Sequence, residues 1–157
     1  MKVMQHAIAH NELAQLAELY VENEAPAIYF LMKGEEVVYV GKTKRIRSRV
    51  AEHAKEKSGL FDFVRYFHVE DSEMCASEIA NIIAFNPPLN GNALDVRDMG
   101  YVAVNTALAS YKNRPKKSKI ITAIKSESDD WLEFRGSVYA DRGLIDRIVN
   151  ELTGEEK

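Results

Sequence analysis

The chain has 157 residues, 46% hydrophobic and 29% charged, with a formal net charge of −3, four histidines and one cysteine. That composition suits a soluble globular protein with a real core, and no apolar run approaches the roughly 20 residues of a membrane span. The lone Cys75 excludes an internal disulfide framework and a multi-cysteine zinc site. Together with an opening stretch, MKVMQHAIAHNELAQL, that lacks the apolar centre of a secretory signal, it points to a reducing cytoplasm.

Asn11 is placed to cap a first helix, ELAQLAELYVE, in which Leu13, Leu16 and Tyr20 recur at helical spacing. Ala25-Pro26 ends it, so residues 1–25 are expected to be an N-terminal helical segment. AIYFLM and EVVYVG then read as a hairpin. A three-residue loop Lys33-Gly34-Glu35, with the glycine at positive φ, pairs Met32 with Glu36 and Tyr29 with Tyr39. Directly opposed residues share a face, so the two phenols are expected side by side. Thr43 can cap KRIRSRVAEHAKEK, where Ile46, Val50 and Ala54 form a buried stripe and Arg45, Arg49 and His53 a polar one. Ser58-Gly59 closes that helix, and LFDFVRYFHV supplies a third strand.

Ser72 can cap EMCASEIANIIAF, which Asn86-Pro87-Pro88 stops. This helix is apolar nearly all round, and its Cys75, Glu78, Ile82, Phe85 stripe carries one carboxylate. A buried, unpaired charge is costly, so Glu78 needs a cation, either a metal or an arginine. Beyond it, residues 96–111 read equally as strand or helix, NRPKKSK as a basic linker, and IITAI and WLEFRG as short strands. Asp141 can cap a last helix whose Leu144, Ile145, Ile148 and Leu152 form an apolar face. That face is a candidate for covering a sheet or for pairing with a second copy in a homodimer. The expected fold class is α+β: a small three-stranded antiparallel sheet flanked by helices over 26–92, then a C-terminal α/β extension over 93–157.

Charge is segregated along this chain. Lys42 to Lys57 carries a local +5, Lys112 to Lys125 a local +6, and residues 127–157 a local −5. Two basic stretches in an acidic protein suggest a directed surface for a polyanion and make nucleic acid a partner class to test, beside the plainer reading of two solvated faces.

The ordered set of Ala27-Ile28-Tyr29, Tyr39-Val40-Gly41, Gly41-Lys42-Thr43, Arg49, His53, Glu78 and Pro87-Pro88-Leu89-Asn90 resembles the GIY-YIG nuclease family over residues 26–92. The first motif departs from the family pattern in having alanine where glycine is usual. The resemblance implies a DNA endonuclease with Tyr29, Tyr39, Arg49, His53, Glu78 and Asn90 as catalytic residues. It implies that Glu78 is the one protein ligand of Mg²⁺ or Mn²⁺, which suits a cation that takes few carboxylates and keeps several waters. Tyr29 would help activate the attacking water, Tyr39 would bind the phosphate or assist that water, and Arg49 would grip the phosphate in its fork. His53 would relay a proton, Asn90 would position the water network, and Lys42 would add phosphate contact.

A free phenol, with its pKa near 10, is a poor base at neutral pH. Lys42, Arg49 and a metal beside it are expected to lower that value. A two-metal design would need clustered carboxylates that no segment supplies, so a single metal is the expectation. Arg45, Lys116, Lys117 and Lys119 complete the expected nucleic-acid contacts, which would position DNA without reading its sequence. Taken singly, the same residues have plainer readings: the tyrosines as strand packing, Arg49 and Glu78 as a salt bridge, His53 as an exposed helix residue, Asn90 as a turn former. A module that binds nucleic acid without cutting it therefore stays open beside the endonuclease.

Overall fold

The computed structural model describes residues 2–18 and 24–154. They divide into two compact units, Met4–Gly91 and a second built mainly from residues 92–154. Both are α+β, and no helix among the described residues is long and apolar enough to cross a membrane.

The first unit is organised by a sheet of four antiparallel strands: β1 (Ala17–Glu18), β2 (Ala27–Lys33), β3 (Glu36–Thr43) and β4 (Phe63–His68), in the order β1-β4-β2-β3. The sheet thus has one strand more than the three expected. In β2 every residue but Lys33 is buried, because helices cover both of its faces. α1 (Ile46–Glu56) places Ile46 and Val50 against Ala27, Tyr29 and Leu31. The alternate residues of a strand face the other way, and there Phe30 meets Phe85 of α2 (Met74–Phe85) edge-on, with ring centroids 5.5 Å apart.

The expected N-terminal helix does not form among the described residues. Lys2–His6 and His10–Gln15 are short 3-10 turns, Asn11 lies inside the second of them, and β1 follows. Tertiary bonds outcompete helix propensity here. The Ile8 amide donates to Asn81 Oδ1 at 3.0 Å, and Arg65 Nη1 donates to the Leu16 carbonyl at 2.7 Å. Of the expected apolar stripe, Leu13 is buried and Tyr20 lies outside the described residues.

The hairpin register also differs. Lys33 pairs with Glu36, so the loop is the two residues Gly34-Glu35, with Gly34 at φ 60° as a type II′ turn requires. A bulge then leaves Val38 unpaired between Met32↔Val37 and Leu31↔Tyr39, which sets Tyr29 opposite Gly41. Tyr29 and Tyr39 still share a face, but diagonally. At the helix starts, Thr43, expected to cap α1, ends β3 two residues before the cap position Arg45; its Oγ1 accepts from the Arg45 amide at 2.9 Å, and no side chain caps α1. Ser72 lies in a 3-10 turn, Asp71–Glu73, that leads into α2, and no side chain caps α2. Asn86, left-handed at φ 45°, ends α2 before the prolines.

The second unit contains β5 (Tyr101–Ala103), α3 (Val104–Leu108), α4 (Lys117–Glu127), β6 (Trp131–Phe134), β7 (Ser137–Asp141) and α5 (Arg142–Thr153), with an antiparallel sheet in the order β5-β7-β6. IITAI, expected as a strand, lies inside α4. Ile120 and Ile124, one helical turn apart, are both fully buried while Thr122 between them is exposed, whereas a strand would put all three on one face. For the same reason Lys117 and Lys119 belong to a helix rather than a linker. Asp141 caps α5 as expected, accepting from the Leu144 amide at 3.1 Å. Ile145, Ile148 and Val149 of α5 pack on Val138 and Ala140 of the sheet. Leu152, expected on that buried face, is 47% exposed.

Candidate active site

The central strand carries Tyr29 into the core of the first unit, where its side chain is almost wholly buried. Its ring crosses the hairpin and lies over Gly41, so close that a Cβ at position 41 would overlap the phenol. Gly41 is therefore required by contact, not by backbone angle. Tyr39, two residues earlier on β3, turns its ring to the same side, with centroids 6.2 Å apart.

α1 closes the pocket. His53 is fully buried, with Nε2 2.8 Å from Tyr29 Oη and its ring 4.8 Å from that of Tyr39. The plain reading of His53 as an exposed helix residue is thus corrected: it points inward from the polar stripe because the two phenols provide a partner and ring faces. One turn on, Lys57 Nζ lies 3.1 Å from His53 Nδ1 and 4.9 Å above the Tyr39 ring. The charge of Arg49 acts on both phenols, while its Nη1 donates to Glu52 at 2.6 Å. Bonded to Glu52 first and then facing the phenols, its guanidinium is held even more firmly protonated than usual.

The other wall comes from α2. The charge of Glu78 acts on Tyr29, and its side chain is mostly buried. Lys42 Nζ lies 3.8 Å from Glu78 and donates to Cys75 Sγ at 3.1 Å. Lys42 is thus a cationic neighbour of Glu78. Asn90 is occupied with the backbone of β3: its Oδ1 accepts from the Val40 amide and its Nδ2 donates to the Val40 carbonyl, each at 2.9 Å. It holds the strand between Tyr39 and Gly41.

Electrostatics overturn one expectation. Burial raises the Tyr29 pKa well above that of an ordinary phenol, and the neighbouring Tyr39 adds to the rise; Arg49 offsets only part of it. Desolvation wins because the phenol is sealed under the hairpin while the guanidinium sits nearer the surface. His53 moves the other way, down to about 4, through burial first and then the charges of Lys57 and Arg49. At neutral pH the pocket therefore holds a neutral phenol against a neutral imidazole.

Among the described residues, no group of three or more His, Cys, Asp or Glu side chains converges as a protein cage for a metal. The donor set present, one mostly buried carboxylate, fits a hard cation that keeps its waters better than it fits zinc. Along α1 a cleft of about 350 Å³ is lined by Lys44, Arg45, Ser48 and Arg49 among others. In the second unit, Lys112, Arg114, Lys116 and Lys119 line a basic cavity of about 490 Å³, which Lys117, at the start of α4, does not reach. Sequence reasoning missed Lys57 and the crossing of Tyr29 over Gly41. The first had a usable signal, since His53 and Lys57 are four apart on one helix. The second had none.

No family model matches the chain, and neither a curated protein nor a solved structure does so.

Proposed function

We propose that this protein is a GIY-YIG-type DNA endonuclease that hydrolyses phosphodiester bonds with one divalent cation. The observation that carries this reading is the cluster of Tyr29, Tyr39 and His53, with the charges of Arg49 and Glu78 both acting on Tyr29 and a basic cleft along α1. These are the residue types that phosphoryl transfer needs: a fork for the phosphate, hydroxyls for the attacking water, and a carboxylate for a cation.

In this mechanism the Arg45–Arg49 cleft receives the sugar-phosphate backbone, and Arg49 binds the scissile phosphate while still held by Glu52. Tyr39 and Tyr29 orient the attacking water from the floor of the pocket. Tyr29 starts as a neutral phenol: its hydroxyl proton passes to solvent water, and the phenolate so formed accepts a proton from the attacking water, with Arg49 the neighbour that favours that phenolate. Glu78 would hold Mg²⁺ or Mn²⁺, which when bound stabilises charge on the phosphate and leaving oxygen. Lys42 pairs with Glu78 at 3.8 Å until then. Lys116 and Lys119 offer further phosphate contacts in the second unit.

The test is nicking of supercoiled plasmid by the purified protein with Mg²⁺ or Mn²⁺. Glu78→Gln is expected to lower the rate about 100-fold or more. Equal rates for the variant and the parent would refute the proposed role of Glu78. One observation favours a second reading, a module that binds nucleic acid without cutting: a phenol held protonated is a poor base. Salt-sensitive DNA binding with no metal-dependent product would select that reading.

A further inference from the structure

The Tyr29–His53 bond can run in either direction, and Lys57 decides which. A lysine ammonium has three donors and no acceptor. Its Nζ lies 3.1 Å from His53 Nδ1, so that nitrogen must offer a lone pair. A neutral imidazole with a bare Nδ1 carries its hydrogen on Nε2. Nε2 is the atom 2.8 Å from Tyr29 Oη, so His53 donates and the phenol oxygen accepts. The reverse arrangement would put a hydrogen on Nδ1, facing an ammonium. Full burial keeps the imidazole neutral, and the contact of Lys57 with the Tyr39 ring fixes the ammonium where it acts.

We infer that Lys57 is a positioning residue: it locks His53 as the Nε2–H tautomer, so that the Tyr29 oxygen receives a hydrogen bond from α1 and its own hydroxyl hydrogen is directed away from that helix. This reassigns His53. An imidazole that already carries hydrogen on Nε2 cannot take the Tyr29 proton, so the expected relay through His53 is closed. What His53 does is stabilise negative charge on the phenol oxygen, from the same side as Arg49. The tautomer assignment stands on geometry alone; its catalytic meaning rests on the endonuclease reading.

The two are separable by experiment. Protein labelled with ¹⁵N-histidine is examined at pH 7 by long-range ¹H–¹⁵N correlation, with His53→Gln identifying the ring among the four. The expected pattern for His53 is a protonated Nε2 and a bare Nδ1. In Lys57→Met, which keeps the stem and loses the donors, the two nitrogen shifts should converge as both tautomers become populated. Lys57→Arg, which again offers only donors, should restore the parent pattern. A protonated Nδ1 in the parent protein overturns the inference without need of any variant, and so does a Lys57→Met spectrum identical to the parent's. If the parent pattern appears as expected but plasmid is not nicked, the endonuclease reading falls and the assignment stands.

Discussion

Tyr29 in the first unit and Tyr101 in the second are both buried phenols, and burial is the leading cause of a raised pKa in each. Their partners are opposite in kind. Tyr101 donates its hydroxyl to the Asp130 carboxylate, and the charges of Asp130 and Asp141 push its pKa further up. Tyr29 lies against the imidazole of His53 and the guanidinium of Arg49, and Arg49 pulls its pKa back down. A phenol whose hydrogen is committed to an anion is held in one state. One whose oxygen faces N–H donors is ready to carry negative charge for a moment and then give it up. On the proposed endonuclease reading, the polarity of its partners, and not the size of its pKa shift, would mark the reactive tyrosine.

Tyr29→Phe against Tyr101→Phe tests that contrast most directly. The first is expected to lower plasmid nicking about 100-fold, the lower range for loss of a positioned acid–base group. The second should leave nicking unchanged and cost about 1 kcal/mol of stability in a urea titration, the worth of one ordinary hydrogen bond. Equal losses of activity would erase the distinction.

Acid should separate the two environments next. Folding lowers His53 from 6.5 to about 4, so as pH falls the unfolded chain binds the proton first. The stability that the neutral ring contributes is complete above pH 6.5, declines as pH drops through the window, and is gone by about pH 4. The difference amounts to about 3 kcal/mol. Urea midpoints measured from pH 7 to pH 4 should fall more steeply for the parent than for His53→Gln; parallel curves would contradict a buried neutral ring.

Gly41→Ala is expected to have the smallest effect. The new methyl group meets the Tyr29 ring and should cost about 1–3 kcal/mol, the usual penalty for overpacking. Gly91→Ala, where nothing lies within 4 Å of the added carbon, should stay within about 0.5 kcal/mol. Thermal melts of the pair check whether the hairpin's closeness to Tyr29 is the cause.

Local signals carried much of this fold. The hairpin, α1 with its polar stripe and the Asp141 cap all follow from spacing and turn chemistry. Features set by distant partners were not legible. The N-terminal segment has helical periodicity, but Asn81 and Arg65, far along the chain, capture its backbone. Val38 looks like any strand residue, so the bulge that moves Tyr29 onto Gly41 leaves no trace in the string of letters. The Ile120-Ile121 pair satisfies a short strand as well as a helix, and only packing decides. The burial of Tyr29 was the most misleading, because a count of nearby cations predicts the wrong direction for its pKa when desolvation is the larger effect.

β3 lies at the margin of its sheet, where backbone groups ordinarily invite another chain to add itself. Leu89 and Asn90 act as a surrogate strand there: the Leu89 amide donates to the Val38 carbonyl at 2.9 Å, and the Asn90 carboxamide satisfies both backbone groups of Val40. The same amide plane that a neighbouring peptide would present is supplied by a side chain. At Val38 and Val40 the edge beside Tyr39 is thus already occupied from within the chain.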